Sequence, residues 1–302
     1  MRTPVHEWHG REIAQRICTS TTVVLKLELF QHTGTFKARG AVSVVGLLDA
    51  DARRRGVTAV SAGNHAIATA YAAQCFDCSA KVVMMASANA ARRQRAKEYG
   101  AEVVIAKDGA TAFAIAQELA EREGRHFVHP FEGPLVAQGT ATLGLELMEQ
   151  APQLDAVIVP IGGGGLISGV SMAVKSHNPK IRVIGVESSD GPAMKKSLEA
   201  GHLETIDCKT IIDGLRVRRA GEINFSVVQR FVDEIVALPD REIFDALIWI
   251  MERCKLVVEG AAAAPVGALL QGLVQLPPGS RVAVVLSGGN VNLDQLRSLT
   301  WN

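Results

Sequence analysis

Gln31-His32-Thr33-Gly34-Thr35-Phe36-Lys37-Ala38-Arg39-Gly40-Ala41 joins the apolar run Val23 to Glu28 to a segment, Ala38 to Arg55, with helical spacing at Ala41, Val45 and Leu48. The run before the turn reads as a strand and the segment after it as one helix. Lys37 therefore falls at the positive end of that helix, where an ammonium is disfavoured and the free amine favoured. Imine-forming chemistry needs such an amine. Taken alone, the same lysine reads as a surface residue ending a loop, and the rest of the chain decides between the two.

Outward from the turn, the strand–turn–helix unit repeats. Val57 to Val60 is a predicted strand, followed by the turn Ser61-Ala62-Gly63-Asn64-His65 and an Ala-rich helix to about Gln74. Predicted strands at 80–85, 102–106 and 126–129 alternate with helices at 89–99 and 111–123. After the loop Pro130-Phe131-Glu132-Gly133-Pro134 a second series begins, with a helix to about Gln150 and strands at 156–161, 183–187, 235–238 and 282–286. Helices at 166–175, 193–199, 242–255 and from Gly260 separate them, and 188–219 is otherwise irregular. Strands separated by helices imply mostly parallel twisted sheets covered on both faces, an α/β fold. Two lobes are expected, a larger one of residues 1–55 and 133–302 and a smaller, mobile one of 56–132, with the active site in the cleft between them.

The 302 residues suffice for a large core, and 48% hydrophobic with 21% charged residues is the balance of a globular enzyme. A net charge of +1 without a long basic run gives no footprint for nucleic acid or an anionic membrane. No apolar run is long enough to span a bilayer and Met1-Arg2-Thr3-Pro4 opens no signal peptide, so a cytoplasmic location is expected. The scattered Cys18, Cys75, Cys78, Cys208 and Cys254 agree with it. Cys75 and Cys78 have pair spacing but no second pair to complete a zinc site, and are read as structural.

Gly162-Gly163-Gly164-Gly165 follows an apolar strand and opens a helix, so its amides can converge on a phosphate. It has neither the lysine of a Walker loop nor the spacing of a dinucleotide fingerprint. The 61–65 turn suits a carboxylate, although capping by Ser61 or Asn64 explains it equally well. Ser287-Gly288-Gly289-Asn290 closes the last strand as a third turn. A reactive lysine, a phosphate cradle and a carboxylate turn together fit pyridoxal phosphate chemistry on an amino acid.

With these residues placed, the chain resembles the threonine/serine dehydratase and serine racemase family of fold type II (tryptophan synthase beta-like) pyridoxal-phosphate enzymes. The motifs run in order over nearly the whole chain: Thr3-Pro4, Leu25-Lys26-Leu27-Glu28, the Thr33–Ala41 stretch, Ser61–His65, Gln138-Gly139-Thr140, Val159–Leu166, Gly185-Val186-Glu187, Asp213-Gly214-Leu215 and Leu286–Asn290. The resemblance implies that Lys37 forms a Schiff base with the cofactor, between Phe36 on one ring face and Gly214 on the other. It also implies that Asn64 bonds the ring hydroxyl, that Gly162, Gly163, Gly164, Gly165 and Leu166 cradle the phosphate, and that Ser287 faces the pyridine nitrogen. A serine there makes the ring a weaker electron sink than a carboxylate would, which suits elimination. The substrate would lie on Ser61, Ala62, Gly63, Asn64 and His65, with Phe131 near its side chain. The implied reaction is the dehydration of a β-hydroxy-L-amino acid, by default threonine or serine, to a 2-oxo acid and ammonia, with Lys37 removing the α-proton and the cofactor phosphate as the family's proton donor. A homodimer is the family expectation, and an amino acid is the partner expected.

Departures shape the alternatives. Racemases of the family carry a second serine where this chain has Ala62, so dehydration is favoured over racemisation. Glu187 matches the start of the family's cation site, but a later aspartate corresponds to Ala193, and the divalent cation is left unassigned. His32 and Ala68 replace residues usual in the family, and His32 is a candidate signal for another substrate. The regulatory domain of biosynthetic threonine dehydratases is not expected. Rival readings are the same chemistry on 3-hydroxyaspartate, phenylserine or a hydroxyectoine-derived compound, a serine racemase, or a non-catalytic binding module.

Overall fold

A computed structural model of the chain describes residues 1–8, 17 and 20–298; Cys18 lies outside them. The strands are β1 (Val5–Trp8), β2 (Thr22–Leu27), β3 (Val57–Val60), β4 (Ala80–Met85), β5 (Glu102–Ala106), β6 (His126–Phe127), β7 (Ala156–Pro160), β8 (Arg182–Ser188), β9 (Glu234–Leu238) and β10 (Arg281–Leu286). The helices are α1 (Lys37–Gly46), α2 (Ala50–Arg55), α3 (Asn64–Cys75), α4 (Ala90–Glu98), α5 (Gly109–Glu123), α6 (Pro134–Gln150), α7 (Gly165–His177), α8 (Ala193–Ala200), α9 (Glu222–Phe231), α10 (Asp240–Cys254), α11 (Gly260–Leu270) and α12 (Leu293–Ser298). They fall into two units, Met1–Phe36 with Thr140–Asn302, and Lys37–Gly139.

The first unit is built on a sheet of order β1-β2-β10-β7-β8-β9, parallel except for β1, which pairs antiparallel with β2. Alternation along each strand feeds two cores. Val23, Leu25, Val282 and Val284 pack with Phe244, Leu247 and Ala262 of α10 and α11. Val24, Val157, Val159 and Val285 pack with Leu143 and Leu147 of α6 and Ile167 and Val170 of α7. Helices on both faces explain why these strands read as unbroken apolar runs.

Lys26 and Glu187 depart from that rule. Lys26 is fully buried in β2, and its Nζ donates to Thr3 O at 2.8 Å, Glu146 Oε2 at 2.8 Å and Gln150 Oε1 at 2.7 Å. Three acceptors satisfy the ammonium, so the charge survives burial and ties the N-terminal segment to α6.

The second unit has an all-parallel sheet of order β5-β4-β3-β6. Helix α1, which the sequence boundary at 55/56 put with the larger lobe, shares a core with this sheet: Ala41, Val44 and Val45 bury with Val57, Ala59, Ile67 and Ala70. The other face carries a small cluster of Val60, Val83, Ala112 and Ala116, the last two from α5.

The helix expected over 38–55 is two. It stops at Gly46, where a Cβ would stand 2.7 Å from the Phe76 ring, and restarts at Ala50, whose N-cap Asp49 accepts from Ala52 N at 2.7 Å. Sequence reading also passed over β1, α9 and α12.

Candidate active site

The lysine turn is held by the far end of the chain. Thr33 adopts a left-handed conformation, φ 68°, which costs a β-branched residue about 1–2 kcal/mol. Asn290 offsets this, because its Nδ2 donates to Thr33 O at 2.8 Å and its Oδ1 fills the place where a Cβ on Gly34 would sit, 2.6 Å away. Gly34 is itself left-handed at φ 77°. Thr35 then bridges to Gly288, and Phe36 N donates to Ser287 O at 3.0 Å. The side chain of Phe36 packs on the core around β7 and α7, and Ser287 is buried at the end of β10. Lys37 follows as the first residue of α1.

The tetraglycine cradle lies in the same unit as Phe36 and Ser287, between β7 and α7. Its carbonyls are turned away from any ligand. Gly163 O accepts from Asn224 Nδ2 at 2.8 Å and Gly221 N at 3.2 Å, and Gly165 O accepts from Thr140 Oγ1 at 2.8 Å. The amides at the α7 N-terminus, those of the glycines and Leu166, are thus the polar groups this loop offers an anion. Space is equally restrictive. A Cβ on Gly162 would lie 2.4 Å from Gly214 O, and one on Gly164, at φ 93°, would lie 2.7 Å from Met194 Cε and 2.8 Å from Asn224 Cβ. Gly214 therefore sits directly against the first cradle residue. These features fit pyridoxal phosphate: a backbone anion site for its phosphate, an apolar ring and a glycine for its faces, and a neutral hydroxyl for its nitrogen. Asn224 and Thr140 complete the cradle, and the missed helix α9 supplies the first of them.

In the second unit, the 61–65 turn leads into α3, whose N-cap Gly63 carries no side-chain capping bond. Ser61 Oγ accepts from Gly63 N at 3.0 Å, a turn within the loop and not the helix cap that the sequence left open. His65 is buried, and its Nε2 lies 2.8 Å from Val128 O. A carbonyl can only accept, so Nε2 carries the proton and Nδ1 the lone pair. Burial first, then the charge of Lys37, bring the His65 pKa down to about 3, against the raising effect of its Val128 bond. The imidazole is neutral. Arg92 of α4, which the sequence reading did not single out, lies on this turn: its Nη1 is 2.8 Å from where a Gly63 Cβ would be. Asn64 begins α3, half-buried, and Ala62 packs at the edge of the α1–α3 core.

A second loop meets the lysine. Lys37 Nζ donates to Pro130 O. The neighbouring His129 accepts at Nδ1 from Phe131 N at 3.3 Å and Glu132 N at 2.9 Å. Its ring stands edge-on to Phe131, with centroids 4.7 Å apart, and to Phe127 at 5.9 Å. Burial lowers the His129 pKa most strongly; Glu132 opposes this and Lys37 adds to it.

Other predicted residues fall elsewhere. His32 is exposed on its turn. Ala68 is fully buried in α3, a packing position. Burial pushes the Cys78 thiol up, away from the reactive thiolate. The residues around Glu187 do not fit the cation that the resemblance implied. Both its oxygens accept backbone amides at the start of α8, Met194 N at 2.9 Å and Lys195 N at 2.8 Å, and Ala193 adds no second carboxylate. Burial raises its pKa to about 7. No cluster of three His, Cys, Asp or Glu suited to a metal occurs among the described residues, and none of their helices is long and apolar enough to cross a membrane.

Comparisons with known proteins agree on one group. The family of pyridoxal-phosphate dependent enzymes matches residues 1–288. The chain is 42% identical over 280 residues to an L-threonine ammonia-lyase of Thermotoga maritima, covering 92% of this chain and 69% of that one. It is 47% identical over 273 residues to a phenylserine dehydratase of Ralstonia pickettii, covering 90% and 84%. Among solved structures, maize serine racemase superposes with a TM-score of 0.92 at 34% identity, covering 98% of this chain and 91% of that one.

Proposed function

The chain belongs to the pyridoxal-phosphate dependent enzymes, and from that premise we propose that it is an ammonia-lyase converting a β-hydroxy-L-amino acid, by default threonine or serine, to a 2-oxo acid and ammonia. The observation that carries this reading is the register that sets Thr35 opposite Gly288 and the Phe36 amide on the Ser287 carbonyl. It makes neighbours of the residue before the lysine and the hydroxyl assigned to the ring nitrogen. Pyridoxal phosphate, held through Lys37, Phe36, Asn64, the 162–166 amides, Gly214 and Ser287, supplies an electron sink that acidifies the substrate Cα–H bond. The chain's own residues do the rest. The turn Ser61-Ala62-Gly63-Asn64-His65 holds the substrate, with Ser61, Gly63, Asn64 and the backbone amide of His65 on the carboxylate, which leaves the Cα–H bond free to be presented to Lys37. Lys37 Nζ takes the α-proton, and the β-hydroxyl departs as water. The released enamine tautomerises to an imine, takes up one water and yields ammonia, so the sequence is redox-neutral.

Phenylserine is the second reading, supported by the edge-on pair His129 and Phe131 beside the lysine loop, which sets an aromatic ring next to Pro130. Lysine attachment of the cofactor, action in the cytoplasm and a homodimer are parts of the same proposal. The test is 2-oxo acid and ammonia release from threonine, serine, phenylserine and 3-hydroxyaspartate by the wild type and Lys37→Ala. Release from threonine or serine that Lys37→Ala lowers by on the order of 10³-fold or more is expected. Release from phenylserine alone replaces the substrate, and release that survives the substitution removes Lys37 from its role.

A further inference from the structure

We infer that His129 is a positioning residue for the reaction proposed above: its unprotonated Nδ1 fixes the 129–132 loop so that the Pro130 carbonyl holds and orients the Lys37 amine. The geometry lies within one unit of the fold. Two consecutive amides, Phe131 N and Glu132 N, converge on the one lone pair of His129 Nδ1, which closes a tight loop around Pro130. The Pro130 carbonyl is left facing Lys37 Nζ, and the edge-on contact with Phe131 fixes that ring as well. A neutral amine has two N–H groups and one lone pair. Donation of one N–H to a fixed carbonyl limits where the lone pair can point, and a base whose lone pair is aimed is worth far more than one that rotates.

The arrangement requires an acceptor at Nδ1. A proton there would face two N–H donors, so the loop must open and the carbonyl leave the amine. Lys37 on α1, His65 on α3 and Glu132 in the loop itself are the titratable groups interacting with this ring, and only Glu132 favours its charged form. Protonation of His129 therefore sets the acid limb of the reaction in this scheme.

Asparagine separates this role from packing. Its Oδ1 can accept the same two amides but does not titrate, whereas alanine offers no acceptor. In the holoenzyme, His129→Asn should keep turnover near the wild-type value at neutral pH and lose the acid limb of kcat, and the visible cofactor band should lose its acid-side change. His129→Ala should lose kcat by on the order of 10²-fold with little change in KM. In the apoprotein, the ¹⁵N resonance of His129 Nδ1 should be that of an unprotonated, hydrogen-bonded nitrogen at neutral pH. Equal damage in both variants, a wild-type acid limb in His129→Asn, or a protonated Nδ1 overturns the inference. If the wild type releases no 2-oxo acid from any substrate, the lyase reading fails by itself. The cofactor band and the nitrogen resonance still decide the place of His129, and they do so even if His129→Ala does not fold.

Discussion

The glycine cradle and the asparagine turn each end a buried parallel strand and open a helix, yet they are made from different parts of the chain. In the cradle the carbonyls of Gly163 and Gly165 are clamped by Asn224, Gly221 and Thr140, and what remains is backbone N–H with no titratable group in the loop. The turn of the second unit carries side chains, Ser61 and Asn64, with the neutral His65 buried behind it and Arg92 lying on it. A backbone site is indifferent to pH and intolerant of volume. A side-chain site is the reverse. The end proposed to hold the cofactor is therefore fixed, and the end proposed to hold the substrate is adjustable.

Volume should break the cradle first. Gly164→Val puts a β-branched residue at φ 93° against Met194 and Asn224, combining backbone strain with overpacking of roughly 2–6 kcal/mol in total. Equilibrium dialysis of pyridoxal phosphate should show affinity falling by on the order of 10³-fold, equally at every pH. A fall that varies with pH would show that the cradle is not a pure backbone site.

The turn should break with acid. The folded-state pKa of His65, about 3, is below its unfolded value of 6.5, so the unfolded chain binds more protons between these limits. Stability from this residue is complete above pH 6.5 and is lost progressively as the pH falls toward 3, by about 5 kcal/mol. Calorimetry across that window should show the wild-type melting temperature falling more steeply than that of His65→Gln. Parallel curves would mean that other groups carry the acid response.

Smaller effects sharpen the contrast. Arg92→Ala removes a cation at the turn, and KM for the amino acid should rise about tenfold with kcat retained, the scale of one partly exposed charge-assisted hydrogen bond. If KM holds, Arg92 only covers Gly63. Asn224→Ala takes one donor from Gly163 O while Gly221 N remains, so cofactor affinity should drop only severalfold, about 1 kcal/mol. A loss as large as that of Gly164→Val would make Asn224 a contact of the cofactor itself.

Much of this was legible in the sequence, for stated reasons. Apolar runs bounded by glycine marked β3 and β10, because strands buried on both faces carry no ambiguity of face. Helix α9 escaped because its buried residues, Asn224, Phe225 and Val228, include a polar one whose purpose is set by Gly163, some 60 residues away. Asp49 hid the break between α1 and α2, since an N-cap inside an apparently continuous amphipathic stretch looks like one more exposed polar residue. The lysine, the cradle and the Ser287 turn were readable as motifs. His129 and Arg92 were not, because what they meet is backbone, the amides of Phe131 and Glu132 for the one and the Gly63 turn for the other, and such contacts leave no pattern in the residues that make them.

The contacts of the lysine turn also fix when in its synthesis the protein is completed. Strand β2 takes its parallel neighbour from β10, Thr33 takes its donor from Asn290, and the Phe36 amide takes its acceptor from Ser287, about 250 residues later, or tens of seconds of ribosomal elongation. Until then Thr33 has no compensation for its left-handed backbone and the segment before Lys37 has no reason to hold its shape. A nascent or C-terminally clipped chain should carry the lysine without its setting.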